Sequence, residues 1–230
     1  MQNTAQHAPL GHAQDHPSGN TIGAYALHAC SRLVARKATS VCSAEHVLTS
    51  LKHATSDAHA SIEAVPRLAA LQSSALDLQE YAETLQRYHA HYSAYEPGIF
   101  ALLARSVPMH ALQLRRRTDL IARDLACPDV DGAPVPLEAP PASLAEAAGW
   151  FYVHEGASLG GRVILRSLRE TLGATCHGAT AFLDCYGKNT GSVWRESRAI
   201  ISGLIRDKRD LTEAIGGANA AFASLAMRMR

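Results

Sequence analysis

From His46 onward, apolar residues recur at three- and four-residue intervals, and no segment alternates with the period of two that a strand needs. That restricts the fold to helices packed on helices. Leu48, Leu51, Thr55, Ala58, His59 and Ile62 mark one face of a first helix, which Pro66 ends or which the next helix takes over from Pro66. Asp77-Leu-Gln-Glu80 has the form of a capping box and predicts a long helix to about Leu103, kinked or divided at Pro97-Gly98. Further helices are expected over 111–126, 144–172, 179–186, 192–206 and 210–227. The stretch 127–143 carries five prolines in 17 residues, so it is a loop, and it ends in a second capping box, Ser143-Leu-Ala-Glu146. This loop joins helices rather than separating domains, since neither half is self-sufficient. The expectation is one all-α domain over 46–230. A flexible extension over 1–45 precedes it, with weak periodicity apart from a short helical stretch at 24–35.

Composition narrows what such a domain does. Apolar residues make up 47% of the chain, enough for a sizeable core. The formal charge of +1 lacks the basic excess of a nucleic-acid or acidic-membrane surface. No apolar run approaches the ~18 residues of a membrane span, and no signal-peptide pattern opens the chain. The five cysteines are odd in number and show no C-x-x-C spacing. That argues against a disulfide framework or zinc site and for a reducing, cytoplasmic compartment. Cys127-Pro128 reads as an ordinary loop cysteine, and His7, His12 and His16 as solvated histidines.

Within the 144–172 helix, Gly156, Gly160 and Gly161 interrupt a segment whose Val163, Ile164, Leu165 and Leu168 recur at helical spacing. Each interior glycine costs a helix about 1 kcal/mol relative to alanine. Gly156 and Gly160 lie four apart on one face, and Ala157 and Gly161 repeat the spacing one residue on. The result is a bare strip of backbone. It serves either close helix–helix packing or close approach to a large flat ligand. On the first helix, His59 sits on the apolar stripe with Glu63 one turn further on. A ligating imidazole needs an acceptor for its second N–H, and Glu63 can supply one. A packed core histidine is the plainer reading of His59. Taken together, the two helices suit a flat metallo-cofactor held between them.

These residues resemble the heme oxygenase family. "LKHATSDAHASIE", Leu51 to Glu63, is similar to its proximal-helix motif L-K-x-A-T-x-x-x-H-x-x-x-E. "YVHEGASLGGRVI", Tyr152 to Ile164, is similar to the glycine-rich distal helix of bacterial members, above all those that supply biliverdin to bacterial phytochromes. "FLDCYGKNTGSVW" is similar to a later aromatic–Tyr-Gly–Trp segment. The resemblance covers about residues 47–228 and implies an all-helical single-domain fold with heme between a proximal and a distal helix. It implies the conversion of heme, O2 and reducing equivalents to biliverdin, CO and ferrous iron, with heme both cofactor and substrate. No flavin or nicotinamide fingerprint is present, so the electron donor is external, a reductase or a ferredoxin-type protein. A non-catalytic heme-binding or heme-transfer protein on the same fold remains the alternative.

The resemblance also assigns residues. His59 would be the axial iron ligand, and Gly156, Gly160 and Gly161 would line the oxygen-binding side. Thr55, Glu63 and Ser158 would belong to the pocket, and Lys52 would be a propionate partner. Arg195 and Arg198 share a helix face near Trp194; one of them is expected at a propionate, against the plainer reading of a solvated surface. Tyr186 lines the pocket or is a core tyrosine. The chain departs from the family in three places. Ala157 replaces the aspartate that organises catalytic water in animal-type members, His154 stands at a usually apolar position off the glycine face, and Ser197 replaces a common aromatic residue.

Overall fold

The computed structural model describes residues 43–125 and 140–230. The expected extension with its short helix at 24–35, His7, His12, His16, Cys30, Cys42, Cys127 and most of the proline-rich stretch lie outside the described residues. Among the described residues every regular element is helical. Helix α1 spans Ala44–Ala54 and α2 Ser56–Glu63. Helix α3 is Pro66–Ala70, with proline in its first turn. Next come α4, Leu78–Leu103, α5, Met109–Gln113, and α6, Thr118–Asp124. The long α7, Leu144–Leu172, is followed by α8, Thr190–Leu204, and α9, Lys208–Met229. No described helix is long and apolar enough to cross a membrane.

Local chemistry explains where these elements start and stop. Ser43 caps α1 by accepting from the His46 N–H at 3.1 Å, so the ordered helix begins just before the expected boundary at 46. The expected single first helix is two. At Thr55 the backbone leaves helical geometry (φ −109°, ψ 5°), and the Thr55 hydroxyl donates to the Leu51 carbonyl at 2.8 Å. Helix α4 starts at the full Asp77/Glu80 capping box and runs through Pro97 undivided. Its buried Tyr81, Tyr88, Tyr92, Tyr95 and Phe100 supply packing that offsets the roughly 3 kcal/mol proline costs a helix interior.

Two expected helices come out differently. The 111–126 helix breaks after Gln113, because the buried Glu96 carboxylate accepts the N–H groups of Arg117 and Thr118 and the Thr118 hydroxyl. An anion there caps the new N-terminus of α6. The 179–186 stretch is a series of turns between Gly178 (φ +89°) and Gly187 (φ +51°). Asp124 accepts the N–H groups of Ala181 and Phe182, both at 2.8 Å, and holds the segment in place.

Helix α7 is the centre of the domain, packed by α4, α8 and, most extensively, α9. The α7–α9 crossing is close enough to exclude side chains. A Cβ on Gly149 would lie 1.9 Å from the Ala214 carbonyl oxygen, and one on Gly217 would lie 2.2 Å from the Glu146 carbonyl oxygen. Buried Ala145, Ala148, Ala214, Ala218 and Ala221 complete this seam of small residues. Gly149→Ala forces two backbones apart, so it is expected to destabilise the protein by roughly 3 kcal/mol. Thermal denaturation should show a Tm lower by about 10 °C; an unchanged Tm would contradict so close a crossing.

Candidate functional site

At ~100° per residue, α7 has two faces of opposite character. Its back carries buried Phe151, His154, Ser158, Leu165 and Leu168. Its front carries Tyr152, Gly156, Leu159, Gly160 and Val163. A Cβ on Gly160 would meet nothing within 4 Å, and one on Gly156 only the Trp194 ring edge at 3.8 Å. Leu159 and Val163 on this front are 41% and 60% exposed. Val163 is therefore not a core residue, although it shares the helical spacing of Leu165 and Leu168. Gly161 differs from the other two glycines: a Cβ there would lie 3.0 Å from the Leu183 carbonyl oxygen. Two glycines open a face, and the third seats the helix against the turns behind it. An apolar face stripped of side chains and left open marks a binding surface.

The second component is α2. The His59 ring packs edge-on against Phe222 of α9 (5.7 Å between centroids), and its Nδ1 lies 3.5 Å from a Glu63 carboxylate oxygen. The His59 side chain is 59% exposed, and no hydrogen bond among the described residues engages its Nε2. A single carboxylate beside Nδ1 orients the ring and leaves Nε2 open to a ligand. One such imidazole is a complete protein ligand set for a metal that brings its own equatorial donors.

Aromatic contacts tie the two components together. Buried Thr55 lies beside the Tyr152 hydroxyl, Tyr152 packs on Trp194 at 5.8 Å, and Trp194 reaches the Gly156 position. Burial pushes the Tyr152 phenol up, and the Thr55 hydroxyl and the Arg198 charge partly oppose that. His59 lies one turn beyond Thr55, and Gly156 one turn beyond Tyr152. Helix α1 packs on α8, which puts Lys52 and Arg198, both exposed, on neighbouring helices. Arg195 is also exposed, its Nε 3.5 Å from the Gly191 carbonyl.

Two sequence candidates lie elsewhere. The Ser158 hydroxyl is buried and donates to the Glu155 carbonyl of its own helix at 2.7 Å. The Tyr186 hydroxyl donates to the Glu155 carboxylate at 2.9 Å and accepts from Arg117 Nη2 at 3.2 Å. Arg117 also stacks over the Tyr186 ring at 4.7 Å. Tyr186 thus belongs to a buried ionic cluster that sequence reasoning missed. Arg115 Nη1 donates to Glu155 at 2.7 Å and to Ser197 Oγ at 2.8 Å. Arg117 Nη2 lies 3.4 Å from the other Glu155 oxygen. Burial alone would raise the Glu155 carboxyl, but Arg115 and Arg117 outweigh it and hold it below the usual carboxylate range. The Arg115-Arg-Arg117 run signals a solvated face in sequence, and only Arg116 takes it, pairing with Asp119 at 3.5 Å.

His154 lies on the back of α7, as its spacing predicts. Its Nε2 is 2.9 Å from the Arg115 carbonyl, which can only accept, so Nε2 carries the proton and Nδ1 accepts from Tyr95 at 3.0 Å. Burial pushes His154 and His91 down to about 3. The unfolded chain protonates both near pH 6.5, while the native chain does not until about pH 3. Their stabilisation is therefore complete above about pH 6.5 and lost as pH falls toward 3, at up to about 1.4 kcal/mol per pH unit for each. Urea midpoints measured from pH 7 to 4 should fall steadily; a flat profile would contradict two buried neutral imidazoles.

Comparison with known proteins bears on what this site holds. The family model for heme oxygenase matches residues 137–229, which span α7 to α9. The chain is 33% identical over 156 residues to a heme oxygenase of Xanthomonas campestris pv. campestris (strain 8004), over 67% of this chain and 91% of that protein. The chain belongs to the heme oxygenase family. The fold agrees with the solved heme oxygenase from Leptospira interrogans, with a TM-score of 0.63 at 16% identity over 80% of this chain and 98% of that one. A heme oxygenase takes heme as both substrate and cofactor, and the residues present fit that group. The bare apolar face on α7 has room for a flat ring, and His59, paired with Glu63, has an exposed imidazole that could hold its iron. Exposed Lys52, Arg195 and Arg198 offer positive charge to carboxylates.

Proposed function

We propose that this heme oxygenase opens the heme ring to biliverdin, CO and ferrous iron, using O2 and electrons from an external reductase or ferredoxin-type donor. The observation that carries the reading is the front of α7, where Gly156 and Gly160 leave backbone open between exposed apolar side chains while the opposite side of the helix is fully packed. His59 is the axial ligand, with Glu63 fixing its ring. Lys52 and Arg198 meet the propionates, with Arg195 beside them. Bound heme supplies the oxygen-activating iron and the ring that is cleaved. The chain's own part is to orient the ring, to leave its edge unobstructed at Gly156 and Gly160, and to offer backbone carbonyl oxygens as acceptors to ordered water where Ala157 has no polar side chain. Thr55 and Tyr152 set the width of the cleft, and Gly161, Ser158 and Tyr186 act from behind the helix. The likeness of Tyr152 to Ile164 to phytochrome-associated members supports delivery of the biliverdin to a bacterial phytochrome.

The test is a hemin titration of the purified protein, followed by ascorbate or a reductase system in air. A stoichiometric Soret complex that decays to a biliverdin band with CO release is expected. A stable Soret band without turnover would reduce the protein to heme binding or transfer, and no complex at all would remove both readings.

A further inference from the structure

The buried ionic cluster on the flank of α7 is the feature of this molecule that the site above does not use. Glu155 immediately precedes Gly156, and its side chain and that of Arg115 are fully buried. Its two carboxylate oxygens are held from three directions: Arg115 at 2.7 Å, Ser197 of α8 at 2.8 Å, and Tyr186 of the 179–186 turns at 2.9 and 3.1 Å. Arg115 also lies 3.4 Å from Glu196, next to Ser197 on α8, and its carbonyl accepts from His154 one position before Glu155.

Taking this many charges out of water is costly, and an apolar cluster of similar volume would hold the helices together as well or better. What ion pairs and directional hydrogen bonds add is a single geometry. The segment 156–161 needs one supplied from outside. Three glycines weaken its helix, and of its front side chains Leu159 and Val163 are left exposed and unpacked. Its backbone is referenced instead from its packed flanks, at Glu155 by the cluster and at Gly161 by the Leu183 carbonyl. Because Ser197 shares α8 with Trp194 and Arg198, the same cluster couples the glycine face to the neighbouring wall of the cleft.

We infer that Glu155 is a positioning residue for the oxygen-binding face: held by Arg115, Ser197 and Tyr186, it sets the roll of α7 and so which edge of the bound heme is left clear by the Gly156 backbone. Glu155 itself does not deliver protons. It is held ionised between two guanidinium groups and is fully buried on the flank of α7. The inference rests on the proposed heme-cleaving function.

Ser197→Ala tests it with the full chain, since it removes one hydroxyl and keeps the ion pairs that hold the fold; Glu155→Gln is the harsher companion. Two measurements are made on Ser197→Ala. In the heme-free protein, hydrogen exchange at the amides of 156–161 should quicken at least tenfold, while α4 stays within about twofold of wild type. In the loaded protein, a biliverdin that is one dominant isomer in the wild type should become a mixture. A purely structural contact would instead loosen the whole chain evenly and leave the isomer unchanged, and that result overturns the inference, as does unchanged exchange at 156–161. Wild-type protein that forms no biliverdin would remove the underlying function. Wild-type turnover with an indistinguishable Ser197→Ala removes the positioning role alone.

Discussion

With His59 holding the heme iron as proposed, His59→Ala is expected to lower heme turnover on the order of 1000-fold or more, since the variant lacks that nitrogen. Stability should barely change, because the side chain is 59% exposed and its ring contact is with Phe222 at the cleft edge. The visible spectrum of the hemin complex should lose its nitrogen-ligated character, and added imidazole should restore much of it by occupying the vacated space. Of the other exposed histidines of the described residues, His110 and His177 lie outside the matched motif and His53 falls at one of its variable positions. An unchanged spectrum in His59→Ala would move the axial role to one of them.

Gly160→Leu separates function from folding in the opposite direction. Nothing stands within 4 Å of a Cβ at Gly160, so leucine fits the heme-free fold. It also restores helix propensity worth about 0.8–1 kcal/mol, which should raise Tm by a few degrees. The same side chain occupies the space over the open face, so heme affinity should fall by roughly 100-fold, equivalent to about 3 kcal/mol. Calorimetry of the heme-free variant and a hemin titration check the two halves. Wild-type affinity with leucine in place would mean that this face is not the wall of the pocket.

How much of this was readable in advance depends on whether the deciding contact is local. The bounds of α7 follow from Ser143 at one end, the spacing between, and Gly173 with φ +54° at the other. All of these act within a turn of the residues they govern. The His59–Glu63 pairing and the shared face of Gly156 and Gly160 were legible for the same reason, since both are i, i+4 spacings. The breaks were not. The helix expected over 111–126 is interrupted by Glu96, 21 residues before Arg117, and the one over 179–186 by Asp124, 57 residues before Ala181. Glu155, Arg115 and Arg117 were the hardest of all, because charged residues of this kind belong at the surface unless tertiary partners bury them. Those partners come from α7, α8 and the 179–186 turns, which only the assembled domain brings together. The helix ends decided by side chains at hand were visible in the sequence, and those decided across the domain were not.

The crossing at Gly149 and Gly217 carries a consequence for anyone redesigning this enzyme. Because α7 and α9 touch backbone to backbone there, that seam tolerates no enlargement, and variation at it spends stability without touching the cleft. The face at Gly160, Leu159 and Val163 has the reverse property: it can be reshaped with little effect on the framework. The tight crossing at Gly149 and the open face at Gly160 thus share one side of a single helix and are separated along its length by 11 residues. They can be tuned as separate variables.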